Sequence, residues 1–152
     1  MIAVAQLNSG SDRAANFALV DRIVGEAAGK GAGLVCIPEC FDYITSSSDP
    51  DDRWECYEPL DGPLMLAYCA LVAKHRVWLS LGGYHELISH ERLGNTHVIV
   101  NAKGSIVTSY RKHLFDVCIA DGSFRDGQHR GGAGARGGHW HTGGDPWARH
   151  VL

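Results

Sequence analysis

Three short stretches hold residues whose types and spacing suit chemistry. At 109–117 the chain reads SYRKHLFDV, a lysine closing a β-like run with a histidine and an aspartate just behind it. At 34–39 it reads LVCIPE, an apolar run that ends in a proline and a glutamate. At 77–86 it reads VWLSLGGYHE, an apolar run that ends in His85 and Glu86. Sites in open α/β sheets form beyond the carboxyl ends of strands, so a carboxylate and an ammonium from separate strand ends can converge in one pocket. Glu39 then has the chemistry of a general base, and Lys112 that of a cation steadying a developing oxyanion. The same residues also fit a plainer reading, a solvated ion pair worth little to anything. Residue types alone leave both open.

The elements that must position these groups follow from periodicity. IAVAQL (2–7) is a short apolar run with β-branched residues, expected as a buried strand. NSGSD is a turn in which Ser11 or Asp12 caps the next element. Residues 13–29 place Phe17, Val20, Ile23 and Val24 at helical spacing, and KGAG stops that helix. LVCIP (34–38) is a second strand, so the order β-α-β implies a parallel sheet covered on at least one face. Residues 39–63 are polar and turn-rich, and 64–75 form a second amphipathic helix. Residues 77–86 read as a strand ending in a glycine turn. Residues 95–112 read as a hairpin around the turn NAKG. After Val117 the patterning stops.

Bulk properties narrow the function classes. A chain of 152 residues is long enough for one domain with a core. Its net charge of −3 offers no basic excess for nucleic acid. No apolar run suits a bilayer, and MIAVAQLNSG has no basic segment ahead of its apolar one, so neither a membrane span nor a signal peptide is expected. Five cysteines, odd in number and without a CxxC pair, suggest reduced thiols and a cytoplasmic location. No metal or cofactor site is read: the tail segment HWH, with His129 and His150, lacks ligand spacing and a carboxylate second shell.

The wording of the motifs adds a resemblance. GAGLVCIPECFDY around Glu39, PLDGP, VWLSLGGYHE, NTHVIVNAKGSIVTSYRK and HLFDV occur in that order. Together they resemble the nitrilase, or carbon–nitrogen hydrolase, superfamily, in its Nit branch of deaminated glutathione amidases and ω-amidase-like proteins, over residues 2–117. The resemblance implies an α/β fold, the N-terminal part of an αββα sandwich. It also implies amide hydrolysis on small ω-amido dicarboxylates by a Glu-Lys-Cys mechanism. Glu39 matches the base, and Lys112 matches the lysine that holds the tetrahedral oxyanion. A cysteine thiolate forms and then loses a thioester, in keeping with nucleophilic catalysis beside a base. The implied partners are a small-molecule amide, with His85 and Glu86 as substrate-binding groups, and a second subunit, either a copy of the chain or an intact nitrilase subunit.

The chain also departs from that pattern. The family's nucleophilic cysteine stands in an elbow motif well beyond the lysine. Past Lys112 this sequence has only Cys118, better read as a small residue opening a loop. The family's YRKxHLFDV is here YRKHLFDV, one residue shorter beside Lys112. The second family glutamate, which orients the lysine, has Asp126 as its nearest counterpart. From there the composition changes, with nine of the 19 glycines in residues 122–144. The division expected is a partial hydrolase domain over 1–125 and a tail over 126–152, irregular and rich in Gly, Arg and His. That tail is either disordered or out of frame. Read one nucleotide forward with free codon choice, WHTGGDPWARHV can spell GTPVGTLGLGMC, a motif that ends in the missing cysteine. A single GARGG unit without interleaved aromatics makes an RNA-binding tail a poorer account. Without its nucleophile the chain is expected to be inactive, the alternative being a pseudoenzyme that pairs with a full-length relative.

Overall fold

The computed structural model describes residues 1–45, 56–90 and 92–112, and the backbone of 117–118. In chain order the elements are β1 (Ile2–Val4), α1 (Arg13–Gly29), β2 (Leu34–Glu39), α2 (Pro63–His75), β3 (Trp78–Ser89), β4 (Arg92–Val100), β5 (Ile106–Arg111) and β6 (Val117–Cys118). The strands lie in the order β1-β2-β3-β4-β5, and β6 pairs with the far end of β4. β1, β2 and β3 run parallel, while β3, β4 and β5 are antiparallel. The α/β architecture is therefore as the sequence implied. The divide at 125/126 and the tail lie outside the described residues.

Each helix has a chemical start and stop. Asp12 caps α1 by accepting from the Ala15 amide at 3.0 Å. Gly31, at φ +84°, takes the left-handed turn that ends it. Pro63 opens α2, where its missing N–H costs nothing. Both helices link parallel strands that step the same way across the sheet, and right-handed crossovers put them on one face. The core fills that layer with Val20, Val24, Met65, Tyr68 and Val72 of the helices against Val35, Ile37, Leu79, Leu81, Val98 and Val100 of the sheet. Phe17 and Phe41 both pack on the Tyr68 ring, at centroid distances of 5.0 and 5.2 Å. Asp21 ties the helices together by ion pairs to Lys74 and His75.

Two strands differ from the sequence expectation. β1 stops at Val4 instead of Leu7, although the Ala5 amide still reaches the Cys36 carbonyl at 2.9 Å. β3 does not turn at Gly82-Gly83 but runs on to Ser89, with a register shift between Leu81 and Tyr84. The hairpin turn at 101–104 is as expected, with the Asn101 carboxamide accepting from the amides of Lys103 and Ser105.

Among the described residues, little covers the sheet face away from the helices. Ile2 and Val4 are 66% and 83% exposed, and Tyr110 is 47% exposed. The register puts Ile2, Leu34 and Trp78 in one row of that face and Val4, Cys36, Ser80 and Ile99 in another. No helix among the described residues is long and apolar enough to cross a membrane.

Candidate active site

Glu39 and Lys112 meet. Glu39 ends β2, where its backbone pairs with Gly83 of β3. Lys112 follows β5, and its amide donates to the Asn95 carbonyl of β4 at 2.9 Å, so the hairpin ladder fixes the root of the lysine. The Lys112 Nζ donates to Glu39 Oε1 at 3.2 Å, and Asn95 Nδ2 donates to the same oxygen at 2.6 Å. Two strand ends and an intervening strand thus converge on one carboxylate oxygen. The Glu39 and Lys112 side chains are 47% and 43% exposed, so their pairing adds little stability, and both remain open to a solute. Chemically the pair offers a proton acceptor and a fixed cation less than one molecule's width apart.

The chain turns sharply after Glu39. Cys40 sits at φ +56°, a conformation uncommon outside glycine, and its amide donates to the Gly83 carbonyl at 3.2 Å. That turn delivers Asp42 into the interior, where it is fully buried. Asn16 of α1 holds the turn from behind by donating to the carbonyls of Gly10 and Asp42. Asp42 in turn holds His85: its Oδ1 lies 2.8 Å from His85 Nδ1. The rings of Tyr43 and Tyr57 meet the imidazole edge-on at 6.2 and 5.0 Å.

His85 is accordingly a charged ring at neutral pH. Burial disfavours the charge, but the hydrogen bond with Asp42 and the negative charge of its carboxylate outweigh it and push the pKa up to about 9. The folded value exceeds the ordinary value of 6.5, so the stabilisation is complete below about pH 6.5 and fades as pH rises through about 9. The expected result is a melting temperature that falls between those limits. A His85→Gln variant should lose that slope, which calorimetry across the pH series checks.

Glu86, the next residue, points to the other side of β3. It is buried, and it accepts from Arg111 Nε and Nη2 at 2.7 and 2.6 Å and from Thr96 Oγ1 at 2.5 Å. Burial raises its pKa, but the hydrogen bonds from Arg111 and Thr96 and the Arg111 charge prevail and hold it below the usual carboxylate range. Its carboxylate grips the residue that precedes Lys112, which anchors the end of β5.

Of the four residues named from sequence, the structure brings Glu39 and Lys112 into contact. It sets His85 on β3, against Asp42 of the adjacent turn, and Glu86 on the opposite side of that strand. Asp126 and the 46–55 part of the loop lie outside the described residues. Asn95 and Asp42 were not named. Asn95 had a signal, because it opens the hairpin that Lys112 closes, and the two ends of a hairpin lie side by side. Among the described residues no group of His, Cys, Asp and Glu could hold a metal ion.

Comparison with known proteins shows the family and the fold. The sequence profile of the family described as Carbon-nitrogen hydrolase matches residues 1–131. The human protein called deaminated glutathione amidase is 41% identical over 124 residues, which are 78% of this chain and 37% of that protein. The nitrilase and fragile histidine triad fusion protein of Drosophila melanogaster is 39% identical over 82% of this chain and 27% of its own length. The chain thus spans 37% and 27% of the length of these two relatives. The crystal structure of the C. elegans NitFhit protein superposes with a TM-score of 0.65 at 33% identity, covering 82% of this chain and 31% of that one. An amidase of Nesterenkonia, at 19% identity and a TM-score of 0.60, shares the fold.

Proposed function

The chain belongs to the carbon–nitrogen hydrolase family, and from that premise we propose that it is the base-and-lysine portion of an amidase acting on small ω-amido dicarboxylates such as deaminated glutathione. The observation that carries this reading is the meeting of Glu39 and Lys112, from separate strand ends, around one carboxylate oxygen. Glu39 relays the protons of thioester formation and hydrolysis, and Lys112 faces the oxyanion. His85, two residues past the Gly83 that pairs with Glu39, serves as a substrate-binding group. Glu86 acts from behind, holding Arg111 and so the start of the Lys112 segment.

Between Lys112 and residue 152 the given sequence holds one cysteine, Cys118, and it is not proposed as the nucleophile. The 152-residue chain is therefore expected to release no ammonia from deaminated glutathione, and measurable turnover would refute this. The site itself is tested in a chimera in which residues 1–112 replace the matching segment of an intact deaminated glutathione amidase. Restored hydrolysis is the expected result, and a folded but dead chimera would count against the proposed roles. For the tail from about Asp126, an out-of-frame origin is proposed from its composition and its shifted reading. Transcript sequence through those codons with no lost or gained base would exclude it.

A second reading is favoured by the open sheet face, with Ile2 and Val4 uncovered. On that reading the chain is a pseudoenzyme that pairs with a copy of itself or with a full-length family member. Co-elution with such a subunit on a sizing column tests it.

A further inference from the structure

Lys112 has two anions to serve with one ammonium. At rest its Nζ donates to Glu39 Oε1 at 3.2 Å, while the proposed reaction turns the same group toward an oxyanion. Another group must hold Glu39 as the lysine turns. Asn95 is placed to do so. Its Nδ2 donates to Glu39 Oε1 at 2.6 Å, a shorter bond than the one from the lysine. Both donors take Oε1, which leaves Oε2 to receive a proton. Asn95 is itself held from several directions. Its carbonyl accepts from the Lys112 amide at 2.9 Å, so the residue that grips the base also anchors the root of the lysine. Its backbone stands opposite His85 in the ladder between β3 and β4. Its Oδ1 lies against Gly83, where an added Cβ would stand 2.7 Å away. The carboxamide therefore fills the space that a side chain at position 83 would take, with its oxygen toward the glycine and its nitrogen toward the carboxylate.

We propose that Asn95 is a positioning residue of the site: it holds Glu39 by Oε1 while Lys112 turns to the oxyanion, and so keeps Oε2 in place as the proton acceptor. The inference rests on the amidase reading above, in which Glu39 is the base. Asn95 acts through Glu39 and not on the substrate. Its donor is neutral and carried on a short side chain, so it stays with Glu39 when a second anion forms nearby. The lysine, on a long flexible stem, is free to move between the two. A base held before the reaction needs no reorientation during it.

The test places Asn95→Ala and Asn95→Asp in the chimera that carries residues 1–112. Asn95→Ala removes the donor. It is expected to lower kcat about ten- to a hundredfold and to change KM by less than about twofold, since the loss falls on the step that moves the proton. Asn95→Asp is isosteric and supplies a readout that a merely structural role would not move. Ionised, the introduced carboxylate repels Glu39 and has no proton to donate. Protonated, it donates to Oε1 as the carboxamide did, and the two carboxyls share one proton. Beside position 95 the other charged groups are Lys112 and His85, and His85 stays charged below about pH 7. The activity of Asn95→Asp relative to the unsubstituted chimera should thus be low at about pH 7 and recover about tenfold as the pH falls to about 5. Full kcat in Asn95→Ala, or a ratio for Asn95→Asp that is constant across pH, would overturn the proposal. If Asn95→Ala does not fold, the Asn95→Asp profile decides, and if neither folds Asn95 is structural and the proposal fails. The two readings fail separately. A chimera that is inactive, or that keeps full activity with Glu39→Gln, sinks the amidase reading and this inference with it. An inactive Glu39→Gln beside an unimpaired Asn95→Ala sinks this inference alone.

Discussion

Glu39→Gln in the chimera is expected to cut kcat/KM by about a hundred- to ten-thousandfold, the usual range for loss of a positioned proton acceptor. Glutamine keeps the length and the oxygen that Asn95 and Lys112 now approach at 2.6 and 3.2 Å, so the geometry should survive while the proton relay does not. Lys112→Met keeps the stem and removes the cation, and its expected loss is about a hundred- to thousandfold, that of a single oxyanion donor. The two losses should fall on kcat more than on KM, because both groups serve charge that develops in the transition state. Their exposed ion pair adds little stability, so neither variant should melt much below the parent chimera. The proposed roles fail if either variant retains full kcat. They fail equally if activity drops only in step with the melting temperature, which would make the pair structural. The chimera must be active first, and its residual rate gives the background for both.

Much of this site was legible because its two charged ends each close an apolar run. Glu39 follows LVCIP and Lys112 follows SIVTSYR, and a strand's last residue lies where an α/β sheet keeps its chemistry. Helix α1 was legible at both ends, from the cap at Asp12 to the stop at Gly31. Partners set by register were not. Arg111 reaches Glu86 only because Thr96 pairs with Arg111 across β4 and β5 while Glu86 lies one strand over, opposite Gly94. Sequence showed a lone carboxylate near a histidine and suggested that both face substrate. Alternation along β3 instead sends the two to opposite sides, and Glu86 spends its oxygens on Arg111 and Thr96. Asp42 was passed over because it stands in a polar loop by composition, and only the left-handed Cys40 turns it inward.

The glycine pair carries the same lesson further. Gly-Gly within VWLSLGGYHE signals a turn by propensity, yet β3 continues through it with only a register shift. The reason is clearance. A Cβ at Gly82 would stand 2.6 Å from the Ile37 carbonyl oxygen, 2.7 Å from the Pro38 carbonyl carbon and 2.9 Å from the Glu39 amide nitrogen. All three are backbone of β2, so they cannot rotate away. A Cβ at Gly83 would stand 2.7 Å from Asn95 Oδ1 and 2.8 Å from Glu39 Cγ, the two side chains that meet at the site. Gly82→Ala must therefore push the end of β2 outward. It is expected to destabilise by about 1–3 kcal/mol, as overpacked cores do. In the chimera it should lower kcat/KM by about a hundredfold, since a shift near 1 Å is enough to misplace a catalytic group. Gly83→Ala meets side chains that can swing, so it should cost less stability while still separating Glu39 from Asn95. Gly29→Ala is the control: nothing lies within 4 Å of its Cβ, and alanine at this helix end should hold or slightly raise the melting temperature. Chemical denaturation and kinetics on the three variants decide the point. Equal effects at positions 29, 82 and 83 would mean that the glycines serve flexibility, and that β2 and β3 are not held at the spacing that brings Glu39 to Lys112.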